Sequence, residues 1–530
     1  MVQKVIDIFD SALRAGAQAE GFSFSVEDKL KIVRALDDLG ISYIEAGNPG
    51  SNPKDIEFFE KMRAITLKSA KLTAFGSTRR RGISVEADKN VQSIMDAKTP
   101  AVAIFGKSWD FHVTEIIKTT LEENEKMVSE TMAYFKKRGK EVIFDAEHFF
   151  DGYKANPEYA FKVLKAAVEG GADCLVLCDT NGGCFPATVY EVVKKVKETF
   201  SIRVGIHAHN DCGMAVANSI MAVEAGAEHV QGTYIGFGER CGNANLSTII
   251  PNLQIKKDLY CIPDDELKTL TYCARKIAEI ANISLNKRDP YVGSSAFAHK
   301  GGMHIDGVCK ASESFEHVNP ELVGNKRRFL MSEVSGRNTI LEKIRELNPA
   351  INKESSETEA IINRLKELEH QGYQFEGAES TFELVIRKQL GKYKPFFELE
   401  KFKLMTEQPN KSGSSASALI KVKVDGKSEI TAAEGDGPVH ALDKALRKAL
   451  EIFYPELSCV YLTDFKVRVI DSKSATAAKV RVLIESTDGE ASWTTVGVST
   501  DIIEASWIAL VDSIEYKLLK ELEKKIKVYV

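Results

Sequence analysis

Apolar, β-branched runs recur along the first half of the chain. They read "KVIDIF" (4–9), "SYIEAG" (42–47), "KLTAFG" (71–76), "AVAIFG" (101–106), "EVIFDA" (141–146), "DCLVLCD" (173–179), "RVGIHAH" (203–209) and "HVQGTYI" (229–235). Continuous apolar runs of this length predict strands buried on both faces. Between them lie charged segments with helical period. In "SVEDKLKIVRALDDLG", Ser25 and Asp28 form a capping-box-like start and Gly40 a C-terminal stop. "PEYAFKVLKAAVEGG" and "GMAVANSIMAVEAGA" follow the same pattern and close on glycine. Eight strand–helix units in about 250 residues predict an α/β fold of the (β/α)₈ TIM-barrel type. A doubly wound open sheet is the alternative, but no G-x-G-x-x-G follows the first strand.

The rhythm breaks from about Leu253. "DDELKTLTYCARKIAEIANI" and "SETEAIINRLKELEHQGY" predict helices flanking a loop-rich stretch that includes "AFAHKGGMHIDGVCK". "TEQPNKSGSSAS" (406–417) reads as a flexible loop. The last part repeats itself. Strand-like "ALIKVKVDG" and "ITAAEGDGP" precede the helix "VHALDKALRKALEIF", and "DFKVRVID", "AKVRVLIES" and "SWTTVGVST" precede a second helix. A duplicated α+β domain with a regulatory or assembly role is expected. The domain boundaries predicted are a barrel over 1–260, a helical accessory segment over 261–395 and a C-terminal domain over 396–530.

Composition narrows the function classes. With 44% hydrophobic and 28% charged residues and a net charge of -5, the chain describes a globular protein without the basic footprint of a nucleic-acid binder. No apolar run reaches bilayer-spanning length, and "MVQKVIDIFD" lacks the apolar core of a signal peptide. Nine scattered cysteines without C-x-x-C pairs point to free thiols in a reducing cytoplasm.

In such a barrel the working residues come from the carboxyl ends of the strands. Polar residues gather there: Asp10 and Arg14 after the first strand, Asp145, Glu147 and His148 after the fifth, Asp179 and Thr180 after the sixth. His207, His209, Asn210 and Asp211 follow the seventh, and Glu239, Arg240 and Asn243 follow the eighth. Residues two apart in a strand share a face, so His207 and His209 enter the barrel mouth together as a ready pair of ligands for a divalent ion. Glu147 is a candidate general acid or base, or else a surface ion-pair partner. Arg14 can hold a carboxylate or a developing oxyanion, or else pair with Asp10 or Glu45. The Thr180 hydroxyl can anchor a substrate carboxylate or simply satisfy backbone.

The ordered motifs L-R-x-G-x-Q, D-A-E-H-F-F-D-G, L-C-D-T-N-G-G, H-x-H-N-D and G-E-R-C-G-N resemble those of the 2-isopropylmalate, homocitrate and citramalate synthases. The likeness covers nearly the whole chain. Through "AEGFSFSVEDKL", "GNPGSNPKD", "FGKSWDFHV" and "DAEHFFDGYKANPEYA" it is closest to the citramalate synthase branch. The resemblance implies an acyltransferase that condenses acetyl-CoA with pyruvate to give citramalate and CoA, an entry to isoleucine. It implies a divalent metal (Mn, Zn or Mg) on His207, His209 and Asn243, with Thr180 and Arg14 binding pyruvate. Arg14, Glu147 and His304 would be the catalytic groups, His304 being supplied by a partner subunit. It further implies a cytoplasmic homodimer whose C-terminal domain senses isoleucine. Alternatives are a 2-isopropylmalate synthase-type enzyme acting on another 2-keto acid, or a non-catalytic paralogue with a sensing or assembly role.

One position departs from the family. Its motif reads roughly D-[ST]-T-L-R-D-G-x-Q, with the Asp after Arg serving as a metal ligand. Here that position is Ala15, and Ala12 replaces the motif Thr. A methyl group offers no donor, so weak metal affinity and impaired activity are expected. Asp10 is the candidate stand-in.

Overall fold

The computed structural model describes residues 3–50, 52–330, 344, 355–375, 377–407, 416–470, 478–489 and 491–528. Eight parallel strands close into a barrel in chain order: β1 (Asp7–Asp10), β2 (Tyr43–Glu45), β3 (Lys71–Ser77), β4 (Ala101–Lys107), β5 (Glu141–Glu147), β6 (Cys174–Asp179), β7 (Arg203–Ala208) and β8 (His229–Gly232). Each lies within or beside an apolar run of the sequence. β8 is shorter than its run because the chain turns away after Gly232, and Thr233 bridges Asn245 instead. β1 pairs with β8 from Asp7↔His229 to Asp10↔Gly232, which seals the cylinder.

The helices between strands follow their caps. Ser25 and Asp28 form a reciprocal capping box at the start of the helix Val26–Leu39, and Gly40 ends it with φ 92°. The helices' apolar faces and the outward-facing strand residues form one continuous core. A smaller cluster inside the barrel includes Phe9, Tyr43, Ile143 and Val176. The interior is thus packed, and its open space lies at the carboxyl ends of the strands.

The chain divides into two compact units, residues 1–297 with 317–327, and residues 298–316 with 328–530. The second unit holds a short parallel pair, β9 (Ala298–His299) and β10 (Arg328–Phe329). It also holds two antiparallel sheets. β11 (Glu398–Thr406), β12 (Ala416–Val424) and β13 (Lys427–Gly435) precede the helix Pro438–Leu450. β14 (Tyr461–Val469), β15 (Val480–Thr487) and β16 (Ser492–Ser499) precede the helix Ile502–Val528. The expected duplication is therefore present, with β11 as a strand that the apolar pattern did not reveal. Each sheet's first strand carries a register shift at the equivalent place, between Leu399 and Lys401 and between Leu462 and Asp464. Positions 408–415 of the expected loop lie outside the described residues. No helix among the described residues is long and apolar enough to cross a membrane.

Candidate active site

Arg14, Asp145, Glu147, Thr180, His207 and His209 line one cavity of about 310 Å³ at the carboxyl ends of the strands. Gln18 and Glu239 complete its polar wall, and Phe75, Phe105 and Cys178 supply apolar surface. The strand-end rule thus brings together residues from β1, β5, β6 and β7 and their following turns.

The first corner is built around Glu45, at the end of β2 and fully buried. Its Oε2 accepts from Nε of Arg14 at 2.6 Å and from the Ser11 hydroxyl. The guanidinium of Arg14 also lies 3.7 Å above the centre of the Phe75 ring. Of the two partners expected for Arg14, the structure selects Glu45. Gly16 packs so tightly under Phe237 that a Cβ there would run into the ring. Phe237 thereby fixes the turn from above.

Asp10, the candidate stand-in, is held by the backbone. It is fully buried, its Oδ1 accepts from the N–H of Ala12 at 2.9 Å and its Oδ2 from the N–H of Tyr234 at 2.8 Å. Burial pushes its pKa up to about 7 against those two hydrogen bonds. Both oxygens are committed to the backbone, because a strand end entering a tight turn leaves amides that need acceptors. Ala15 itself is buried, and its N–H donates to the Ser11 hydroxyl at 3.2 Å.

On β5, the Oε2 of Glu147 accepts from Nζ of Lys107 at the end of β4. His148 adopts φ 54°, its N–H donates to the Thr180 hydroxyl at 2.8 Å, and its Nδ1 lies 3.1 Å from Asp151. Thr180 therefore does satisfy a backbone group, yet as an acceptor, and its own hydroxyl proton stays available to a ligand.

His207 is the penultimate residue of β7, and its ring centroid lies 5.2 Å from that of His209. His209 sits one residue beyond the strand, but an antiparallel bridge to Asn243 keeps it extended, and alternation still delivers both rings to one side. Burial, then the neighbouring His209 and Arg14, depress the pKa of His207 to about 3. Burial and Arg240 lower His209 to about 4. Both rings are neutral at physiological pH, the form that binds metal. Asn243 is buried beside them, and Gly238 leaves the space its amide occupies, since a Cβ there would collide with it. Arg240 clamps this rim, donating to Asp211 at 2.8 and 3.0 Å and to the carbonyl of Thr180 at 2.7 Å.

Two polar atoms in this group, Nδ1 of His209 and Oδ1 of Asn243, are buried without a hydrogen-bond partner. Buried polar atoms without a partner are unusual in a folded protein, and these two carry lone pairs suited to a cation. The donor set therefore fits a divalent cation through two neutral imidazoles and one amide oxygen. Among the described residues no three His, Cys, Asp or Glu side chains converge to hold a metal. His304 lies in the second unit, on the helix Gly302–Lys310, with its ring stacked 4.3 Å from that of Phe315. Sequence reasoning gave no role to Gln231 or Lys107 and treated Glu45 only as an ion-pair partner. Glu45 and Lys107 end their strands, the same signal that found the others.

The barrel and its flanking elements match the HMGL-like family model over residues 5–281. A homocitrate synthase post-HMGL domain-like model matches 291–373, and the LeuA allosteric (dimerisation) domain matches 376–518. The (R)-citramalate synthase of Aquifex aeolicus (strain VF5) is 55% identical over 528 residues, spanning 99% of this chain and 100% of the relative. That of Geobacter sulfurreducens is 51% identical over 520 residues, 98% of each chain. A probable 2-isopropylmalate synthase of Methanopyrus kandleri is 34% identical, covering 96% of this chain and 97% of the relative. The chain belongs to the HMGL-like family of synthases, in the branch of the (R)-citramalate synthases.

Proposed function

We propose that this barrel is built to condense acetyl-CoA with pyruvate, giving citramalate and free CoA, and that Ala15 leaves it impaired. The observation that carries the proposal is the convergence of Arg14, Thr180, His207 and His209 on one cavity in a chain 55% identical to an (R)-citramalate synthase. His207, His209 and the Oδ1 of Asn243 would hold a divalent ion, with Mn, Zn and Mg as candidates. Such an ion supplies Lewis-acid polarisation of the keto group.

The chain's own groups account for the rest. The Thr180 hydroxyl donates a hydrogen bond to the pyruvate carboxylate. Arg14, with Nε engaged by Glu45, turns its remaining N–H groups to the oxygen that gains charge as the new C–C bond forms. Glu147 takes a methyl proton from the acetyl group, and its ion pair with Lys107 supports this reading. Water then cleaves the thioester, releasing CoA as the thiol and leaving the new carboxylate. His304, the second proton-transfer candidate, stands on the family resemblance alone. Residues 396–530 are assigned a regulatory and dimer-forming role, with isoleucine as the effector, and residues 261–395 a linking role. A cytoplasmic location is the reading that the nine free cysteines support.

CoA release with pyruvate, 2-ketoisovalerate and 2-ketoglutarate tests this reading on the chain and on Ala15→Asp. Pyruvate-specific release that rises with the aspartate supports it. If both proteins stay inert towards all three keto acids, the synthase reading fails and the sensing paralogue is favoured.

A further inference from the structure

His207, Gln231 and Asp145 form a hydrogen-bonded chord across the inside of the barrel. Gln231 on β8 is fully buried and is the register partner of His207 on β7. Its Nε2 donates to Oδ1 of Asp145 on β5 at 2.9 Å, and its Oε1 lies 2.9 Å from Nδ1 of His207. A carboxylate only accepts hydrogen bonds, so the Gln231 amide must turn its NH₂ towards Asp145. Its oxygen then faces His207, and an oxygen can pair with Nδ1 only if Nδ1 carries the proton. The lone pair of a neutral imidazole is thereby assigned to Nε2.

We propose that Gln231, oriented by Asp145, is a positioning residue that locks His207 in the Nδ1–H tautomer and so presents Nε2 as a metal donor. The inference rests on the metal-site reading given above, but its first consequence holds without metal. A side chain of another kind at 231, or an amide at 145, loosens the lock in different ways. Gln231→Met keeps the length and removes both hydrogen bonds. Asp145→Asn can donate as well as accept, so it lets the Gln231 amide turn over and offer its NH₂ to Nδ1, which selects the opposite tautomer.

The test is ¹⁵N NMR of histidine-labelled, chelator-treated protein at pH 8.5, with His207 assigned by its absence in His207→Gln. At that pH Asp145, which burial pushes to about 7, is ionised. The same proteins are then titrated with Mn²⁺. The expected result is a protonated Nδ1 in the unaltered chain, and a shift towards protonated Nε2 in both variants. Mn²⁺ affinity is expected to fall by about 10–100-fold, the usual cost of losing such a partner. A protonated Nε2 in the unaltered chain, or a tautomer that neither variant moves, overturns the proposal. So does a moved tautomer with unchanged Mn²⁺ affinity. If the tautomers behave as stated but the unaltered chain and Ala15→Asp both bind no Mn²⁺, the metal-site reading fails, and with it the purpose assigned to the lock.

Discussion

Nε of Arg14 donates to Oε2 of Glu45 at 2.6 Å, and the same guanidinium sits 3.7 Å over the centre of the Phe75 ring. The pair spans β2 and the turn after β1, so the orientation of Arg14 is set by the barrel rather than by its own flexible stem. A lysine keeps the charge but has neither the fork of donors nor the planar face. On the Ala15→Asp background, where turnover is expected, Arg14→Lys should lower kcat by about 100-fold or more, the scale of losing one oxyanion donor. Steady-state CoA release measures it, and an unchanged kcat would contradict the role given to Arg14.

Thr180 accepts from the N–H of His148 and keeps its own proton for a ligand. Thr180→Ser should preserve both functions. Thr180→Val should lose them and weaken pyruvate binding by about 10–100-fold, since a hydrogen bond to a charged group is worth roughly 1.5–3 kcal/mol. Keto-acid KM on the Ala15→Asp background distinguishes the two. Equal KM for serine and valine would show that the hydroxyl does not touch substrate.

His229 supplies a pH dependence of stability rather than of catalysis. It is fully buried between Phe9 and Tyr43, both ring nitrogens lack partners, and burial followed by Arg203 depresses its pKa to about 3. Between that value and the ordinary value near 6.5, the unfolded chain binds a proton that the folded chain refuses. Stability from this group is therefore present above about pH 6.5 and is lost as pH falls towards 3. Urea unfolding at pH 7.5 and 5.5 should show a smaller pH difference for His229→Leu than for the unaltered chain. An equal difference would contradict the assignment.

Much of this was legible in the sequence because periodicity reports burial. Strands buried on both faces gave eight uninterrupted apolar runs, and the capping pair Ser25 and Asp28 marked a helix start that the structure reproduces. The strand-end rule found Arg14, Glu147, Thr180 and His207 without any contact information, since topology alone brings those ends together. β11 was not legible, because its residues are mostly exposed or half-buried and carry no apolar alternation strong enough to stand out. Gln231 was hidden for another reason. A glutamine inside a strand has no signature until its neighbours on β5 and β7 are known. Asp10 shows the opposite failure. It has the right chemistry at nearly the right place, yet two backbone amides already occupy it.

In the proposed reading, Ala15 leaves the first corner without a metal ligand. Two neutral imidazoles and one buried amide oxygen are in place, and Ala15 contributes nothing. Calorimetric titration of Mn²⁺ into the chelator-treated chain and into Ala15→Asp reads this out. The aspartate variant should bind at least about 10-fold more tightly, because a first ligand should matter no less than the outer partners that cost about 10–100-fold. Equal affinity in the two proteins would show that Ala15 is not the vacancy in the metal site.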